Sequence, residues 1–276
     1  LTALLLLAAG LPEIASSAPP GAIKLLVPGT RGQNVSTASM SRGPWVDSNG
    51  WRFRRDAAKI YVYDNPPEAR LALAACEAFQ YGGRAVVVAD RAAKLAPVVE
   101  FLKSLDGPRW PAVADFAVVD DGSEATGEVL NLLTRRNLLW TGVPASDENS
   151  AQKYPLVVEI GSPRFPRKAA ANPSDFAGLV RKALTDEKRS LRVYGSETIV
   201  GYLTAEGGRA RLHLLNYATD PVEGFRIRVA GPWKLAALRS FGQPSLAAEE
   251  VEFADGGLEF GVPRLDLYAV VDLVKR

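Results

Sequence analysis

Hydrophobic positions along the chain fall into two textures. From about residue 59 to 195, short apolar runs alternate with stretches carrying apolar residues at helical spacing. Residues 59–63 (KIYVY) read as a strand, and Asn65-Pro66-Pro67-Glu68 supplies a helix start with Asn65 as N-cap. That helix runs through Leu71, Ala75 and Phe79 and stops at Gly82-Gly83. Residues 85–89 (AVVVA) are uninterruptedly apolar, as a strand covered on both faces is. Asp90 opens a helical segment carrying Val98, Val99, Leu102 and Leu105. Further strands follow at 116–119, 138–143 and 156–160, with a Leu-rich helix at 128–136 and another from Asn172-Pro173. Residues 191–194 read as the last strand of this part. The alternation predicts an α/β layer structure with a mainly parallel sheet and flanking helices, Rossmann-like or amidotransferase-like.

After residue 196 the helices vanish. Runs at 198–203, 209–217, 224–229, 233–238, 250–253, 258–262 and 267–273 alternate or run apolar. Gly207-Gly208 and Asp255-Gly256-Gly257 are hairpin signals. Short strands at this density predict a small antiparallel β-sandwich over 196–276, following an α/β domain over 23–195.

The first 22 residues, LTALLLLAAGLPEIASSAPPGA, differ again. The apolar run at 3–9 is far shorter than the ~20 residues of a membrane-spanning helix. Small residues then cluster at Ala15, Ser16, Ser17 and Ala18. The pattern predicts a signal peptide at 1–22, lacking a basic start and an initiator Met, and hence export to a periplasm or the exterior with no stable membrane span after cleavage. Asn34-Val35-Ser36 is formally a glycosylation sequon, a triplet too common by chance to carry weight.

Composition narrows the chemistry. The 276 residues are 47% hydrophobic and 23% charged with net charge +2, an ordinary globular balance without the basic footprint of a nucleic-acid binder. One Cys forms no internal disulfide, and one His leaves no His-rich metal site. No P-loop, G-x-G-x-x-G fingerprint or G-x-S-x-G elbow is present, so no cofactor and no metal is expected.

What remains is carboxylates. Asp64, Asp90 and Asp120 each follow a strand and precede a helix. In open α/β sheets ligands bind beyond the C-terminal strand ends, so these side chains are ligand-binding candidates for one cleft. The competing role is helix capping, worth about 1 kcal/mol each. Asp120-Asp121-Gly122-Ser123-Glu124 is denser in acid than a cap needs, which makes Asp120, Asp121 and Glu124 candidates for a sugar hydroxyl or a cation. Its spacing is not that of an EF-hand loop. Glycoside hydrolysis needs only two suitably placed carboxylates, and Glu77, Asp120, Asp121, Glu124 and Glu159 qualify by type. Asp120 and Asp121 are the catalytic candidates of that reading.

Alternation places His213 beside Arg211 and opposite Leu212 and Leu214, which predicts a surface position on the sandwich. Cys76, among small residues on a helix, reads as a buried side chain. Nothing in the sequence joins the two. Arg135-Arg136 suits a helix C-terminus through the macrodipole. Arg164, Arg167 and Lys168 form a small basic loop, solvated or contacting an anion.

Three stretches resemble the C-terminal half of secreted β-galactosidase-like glycosidases, in which a (β/α)8 barrel is followed by an amidotransferase-like α/β domain and a terminal β-sandwich. Residues 72–82 (ALAACEAFQYG) look like a late barrel helix, with 84–90 as the next strand. Residues 114–140 resemble the opening of the amidotransferase-like domain, and 212–217 (LHLLNY) and 262–271 the sandwich. A full barrel usually takes ~250 residues, so its catalytic Glu strands have no counterpart here. The resemblance implies a carbohydrate setting without a catalytic centre. Three functions follow: a non-catalytic accessory binding carbohydrate or a protein partner, a small glycan hydrolase, or a structural and oligomerising module.

Overall fold

The computed structural model describes residues 10–31, 44–90, 92–105 and 107–276. Residues 1–9 of the expected leader and the sequon at 34–36 lie outside them.

The α/β part holds two parallel sheets rather than one. The first has strands β1 (Glu13–Ala15), β2 (Ile23–Lys24), β5 (Ile60–Asp64) and β6 (Arg84–Val88) in the order β1-β6-β5-β2. Glu13–Ala15 falls within the 1–22 leader segment, yet it pairs in register with Val86–Val88. A short hairpin of β3 (Gly29–Arg31) and β4 (Trp45–Asp47) leads into helix α1 (Gly50–Arg55). Helix α2 (Glu68–Tyr81) joins β5 to β6. It begins two residues later than expected, with Pro67 in the cap position and Asn65 at φ 48°. Gly82 ends it in the left-handed conformation, as the sequence predicts. Beyond β6 come a 3-10 turn (Ala92–Leu95) and helix α3 (Ala96–Ser104). One face of this sheet packs Tyr61, Tyr63, Ala85 and Val87 against α2, and the other gathers Val62, Val86 and Val88. The continuous apolar run at 85–89 is thus buried on both faces, and Cys76 on α2 is fully buried.

The second sheet has β7 (Phe116–Asp120) between β8 (Trp140–Pro144) and β9 (Val157–Val158). Helices α4 (Glu124–Arg135) and α7 (Pro173–Leu184) cover it, with short helices α5 (Glu148–Ala151) and α6 (Arg167–Ala170) in the connections. Ser123 caps α4 and Asn172 caps α7, each accepting a backbone N–H. Phe116, Val118, Val129, Leu133, Trp140 and Phe176 form its core.

The sandwich follows. One sheet runs β11 (Ile199–Glu206), β12 (Arg209–Asn216), β17 (Tyr268–Lys275), β14 (Trp233–Ser240). The other runs β10 (Leu191–Tyr194), β13 (Val222–Ala230), β16 (Gly257–Leu265), β15 (Glu249–Ala254). Every strand expected after residue 196 is present. Leu191–Tyr194 is corrected: it pairs antiparallel with β13, because Leu191 is fully buried in the sandwich core rather than in the α/β part.

Leu212 and Leu214 face the sandwich interior, while Val200, Leu215, Tyr217, Tyr268 and Val270 join the core beneath α2. His213 belongs to that second face, as alternation predicts, but the face is covered. It is 3% exposed, not a surface residue, because α2 packs where solvent was expected. The same packing brings Cys76's helix against His213's strand, with the rings of Phe79 and His213 6.2 Å apart.

Candidate functional site

The strand-end acids separate into two groups on two sheets. Asp64 and Asp90 end adjacent strands of the first sheet; Lys24 Nζ lies 2.7 Å from Asp64, and Asn65 Nδ2 donates to Asp90 at 3.4 Å. Asp120, Asp121 and Glu124 lie at the end of β7 in the second sheet. Arg55 of α1 grips Asp120 with two bonds, Nε at 2.8 Å and Nη2 at 2.5 Å, while Gly122 N–H donates at 3.0 Å. Asp121 accepts from Ser123 N–H at 2.9 Å and Thr126 Oγ1 at 2.7 Å. Those bonds favour the ionised form and hold its carboxyl down at about 2. Glu124 is exposed in the first turn of α4, where a negative charge complements the helix dipole. The acidic run therefore works as a corner: it caps α4 and fastens α1 to β7.

Glu77, a carboxylate candidate by type, is fully buried on α2. It accepts from Tyr63 Oη and Tyr217 Oη, both at 2.6 Å, from Asn49 N and Nδ2 at 2.7 and 2.9 Å, and from Ser48 Oγ at 3.1 Å. These donors come from β5, the sandwich and the turn before α1, so one carboxylate joins three pieces of the fold. Glu159 is exposed in the loop after β9. Among the described residues no group of three His, Cys, Asp or Glu is placed to hold a metal ion. No described helix is long and apolar enough to cross a membrane.

A second place is less filled. A cavity of about 170 Å³ opens between the ends of α2 and α3, the loop 107–110 and the sheet carrying β11 and β12. The loop is fixed because residues 111–113 pair with the edge of β11: Ala205 N–H donates to Pro111 O at 3.0 Å and Val113 N–H to Leu203 O at 2.9 Å. Its charged lining among the described residues is cationic: Lys103, Arg109 and Arg211. Arg109 lies 4.6 Å above Phe79, donates to Phe79 O at 2.6 Å and rests on Gly82, where a Cβ would come within 3.0 Å of the guanidinium. Arg211 donates from Nε to Asp272 at 2.7 Å and from Nη1 to Leu105 O at 2.9 Å, with Trp110 beside it. Asp272 also pairs with Arg239, so one carboxylate answers two guanidinium groups.

His213 completes the wall. Its Nδ1 lies 2.6 Å from Tyr268 Oη. Burial, then Arg109 and Arg211, hold the imidazole well below its ordinary value, so the ring is neutral at pH 7. Burial holds the Tyr268 hydroxyl protonated, and Nδ1 is its hydrogen-bond partner. One short hydrogen bond joins the two groups, its direction following the ring tautomer. Tyr81 contributes its ring; its hydroxyl turns toward Gly50, where a Cβ would lie 2.4 Å away.

Sequence reasoning placed the Asp residues at strand ends but missed this cavity. The available signal was Arg211 and His213 sharing a strand face, together with Trp110 and Arg109 in a Gly-Pro loop. What no pattern supplied was the helix pair that roofs that face.

No protein-family model matches the chain, and no curated protein matches it by sequence. Solved structures do resemble it. The α-L-fucosidase isoenzyme 2 from Paenibacillus thiaminolyticus is similar with a TM-score of 0.59 at 11% identity, over 79% of this chain and 60% of that chain. Gan42B, a GH42 β-galactosidase, is more distant, with a TM-score of 0.43 at 7% identity over 92% of this chain and 53% of its own. The α-amylase from H. orenii reaches a TM-score of 0.22 at 10% identity over 82% of this chain and 51% of its own. These two similarities are too slight to carry a fold assignment. The present chain thus spans 60% of the fucosidase's length, and at this identity the likeness is one of fold. The α/β-plus-sandwich architecture of this chain is shared with part of a glycoside hydrolase.

Proposed function

We propose that the chain is a non-catalytic, carbohydrate-associated accessory module of an exported glycosidase-like protein. The fold likeness to a fucosidase supports the carbohydrate setting. The apolar run at 3–9 supports export.

The observation that carries the non-catalytic part is the Arg55–Asp120 clamp. A glycosidase needs a carboxylic acid of raised pKa and a second carboxylate across the sugar, about 5–10 Å apart. Asp120 has both oxygens committed to Arg55. Asp121 is held at about 2, the wrong direction for a general acid. Glu77 is buried beneath five donor contacts.

A glycan-binding screen run beside hydrolysis assays on the same purified protein tests this. Binding without turnover is expected. Turnover that disappears in Asp120→Asn would replace this reading with that of a small hydrolase.

A further inference from the structure

We propose that the cavity beneath α2 and α3 binds one uncharged pyranose, its hydroxyls bonded to Tyr202 and His213 and its ring against Trp110. The inference rests on the carbohydrate reading above and adds the class of sugar and the place where it binds.

Charge comes first. The cations of the lining are answered within the fold. Lys103 pairs with Glu100 at 2.7 Å, Arg211 pairs with Asp272 at 2.7 Å, and Arg109 donates to Phe79 O at 2.6 Å. No carboxylate lines the space among the described residues. A charged ligand would give up its hydration here without an unspent counter-charge to meet it.

The unspent groups come second. Tyr202 on β11 and His213 on β12 stand directly opposite each other in the sheet, their rings 6.2 Å apart, and both line the cavity. Tyr202 Oη makes no hydrogen bond among the described residues. His213 spends Nδ1 on Tyr268, which lies outside the lining, and Nε2 has no partner among the described residues. Burial keeps the Tyr202 hydroxyl protonated, so it both donates and accepts. Nε2 is a donor in one tautomer of the neutral ring and an acceptor in the other. A carboxylate would serve only the first tautomer, and an ammonium only the second. A hydroxyl serves both, and a sugar ring carries one for each group.

Size and shape come third. An apolar cavity of about 150 Å³ accommodates a benzene ring, so a space of about 170 Å³ suits one six-membered ring. A longer glycan would present its terminal residue and leave the rest in solvent. Half-buried Trp110 and the ring of Phe79 add aromatic surface to the lining. A pyranose offers C–H faces to such surfaces while its hydroxyls bond to polar groups.

The test is NMR titration with glucose, galactose, mannose, glucuronate and cyclohexanol, with binding detected by saturation transfer. The ring signals of His213, the single histidine, report on this wall. At least one neutral hexose is expected to shift them and to bind at least fivefold more tightly than glucuronate or cyclohexanol. Tyr202→Phe and Trp110→Ala are each expected to weaken that hexose at least fivefold, with unchanged circular dichroism and melting. Glucuronate binding as tightly as the hexose would overturn the uncharged assignment and leave the carbohydrate reading standing. Cyclohexanol binding as tightly would overturn the sugar assignment. Hexose binding that leaves the His213 signals in place, or that neither variant weakens, would put the site elsewhere and overturn the cavity assignment. No binding by any of the five overturns the inference, and the glycan screen then decides the broader reading separately.

Discussion

The corner at the end of β7 and the cavity beneath α2 are both rich in charge, but they are balanced differently. At the corner, each acid meets donors from its own neighbourhood: Arg55 and Gly122 for Asp120, Ser123 and Thr126 for Asp121. At the cavity wall, Arg211 divides Asp272 with Arg239, which lies outside the lining, and Lys103 pairs with Glu100. The difference separates structure from site. A charge whose partners are all supplied by the fold stabilises the fold. A cavity that the same fold leaves open is where a ligand has room.

The contrast is sharpest at Glu77, the most completely answered acid. Glu77→Ala would orphan the Tyr63 hydroxyl and the Asn49 backbone N–H in a buried setting, while Tyr217 and Ser48 keep each other. A loss of about 4 kcal/mol is expected in urea denaturation, since each unsatisfied buried group costs about 1–3 kcal/mol. A loss under about 1 kcal/mol would show that the hub is not structural. Arg55→Ala ranks next. It leaves the half-buried Asp120 without its clamp and is expected to cost about 2 kcal/mol by the same measurement. The His213 titration should not move, because the clamp and the cavity share no residues. A shift in that titration would dissolve the division between the two places. The smallest effect belongs to Asp121. Its carboxyl is depressed to about 2, so its contribution to stability is complete above about 4 and fades as pH falls through 2. Thr126→Val should raise that value, read by carboxyl-carbon NMR titration. An unchanged value would remove the Thr126 hydroxyl from the explanation.

Much of the fold was legible because the local signals agree with each other. Gly82 ends α2, Asn172 caps α7, and every strand of the sandwich after residue 196 lies where alternation puts it. The likeness of 212–217 and 262–271 to a glycosidase sandwich pointed the same way. What periodicity does not encode is cover. Alternation assigned His213 to the face opposite Leu214, and only the docking of α2 turns that face inward. The same limit merged two parallel sheets into one, because β6 and β7 have the same texture and no local cue says that they do not pair. Leu191–Tyr194 went to the wrong part for that reason too. The strand-end acids were visible as residues, but Arg55 approaches Asp120 from 65 positions away. Whether an acid is spent or available is a tertiary property.

His213 is the only histidine, so its ring protons give a single NMR titration for the cavity. In the free protein the imidazole should protonate well below its ordinary value near 6.5. Because the native ring binds its proton less readily than the unfolded one, stability falls as pH drops below about 6.5. A His213 ring that titrates near 6.5 or above in the folded protein would contradict the account.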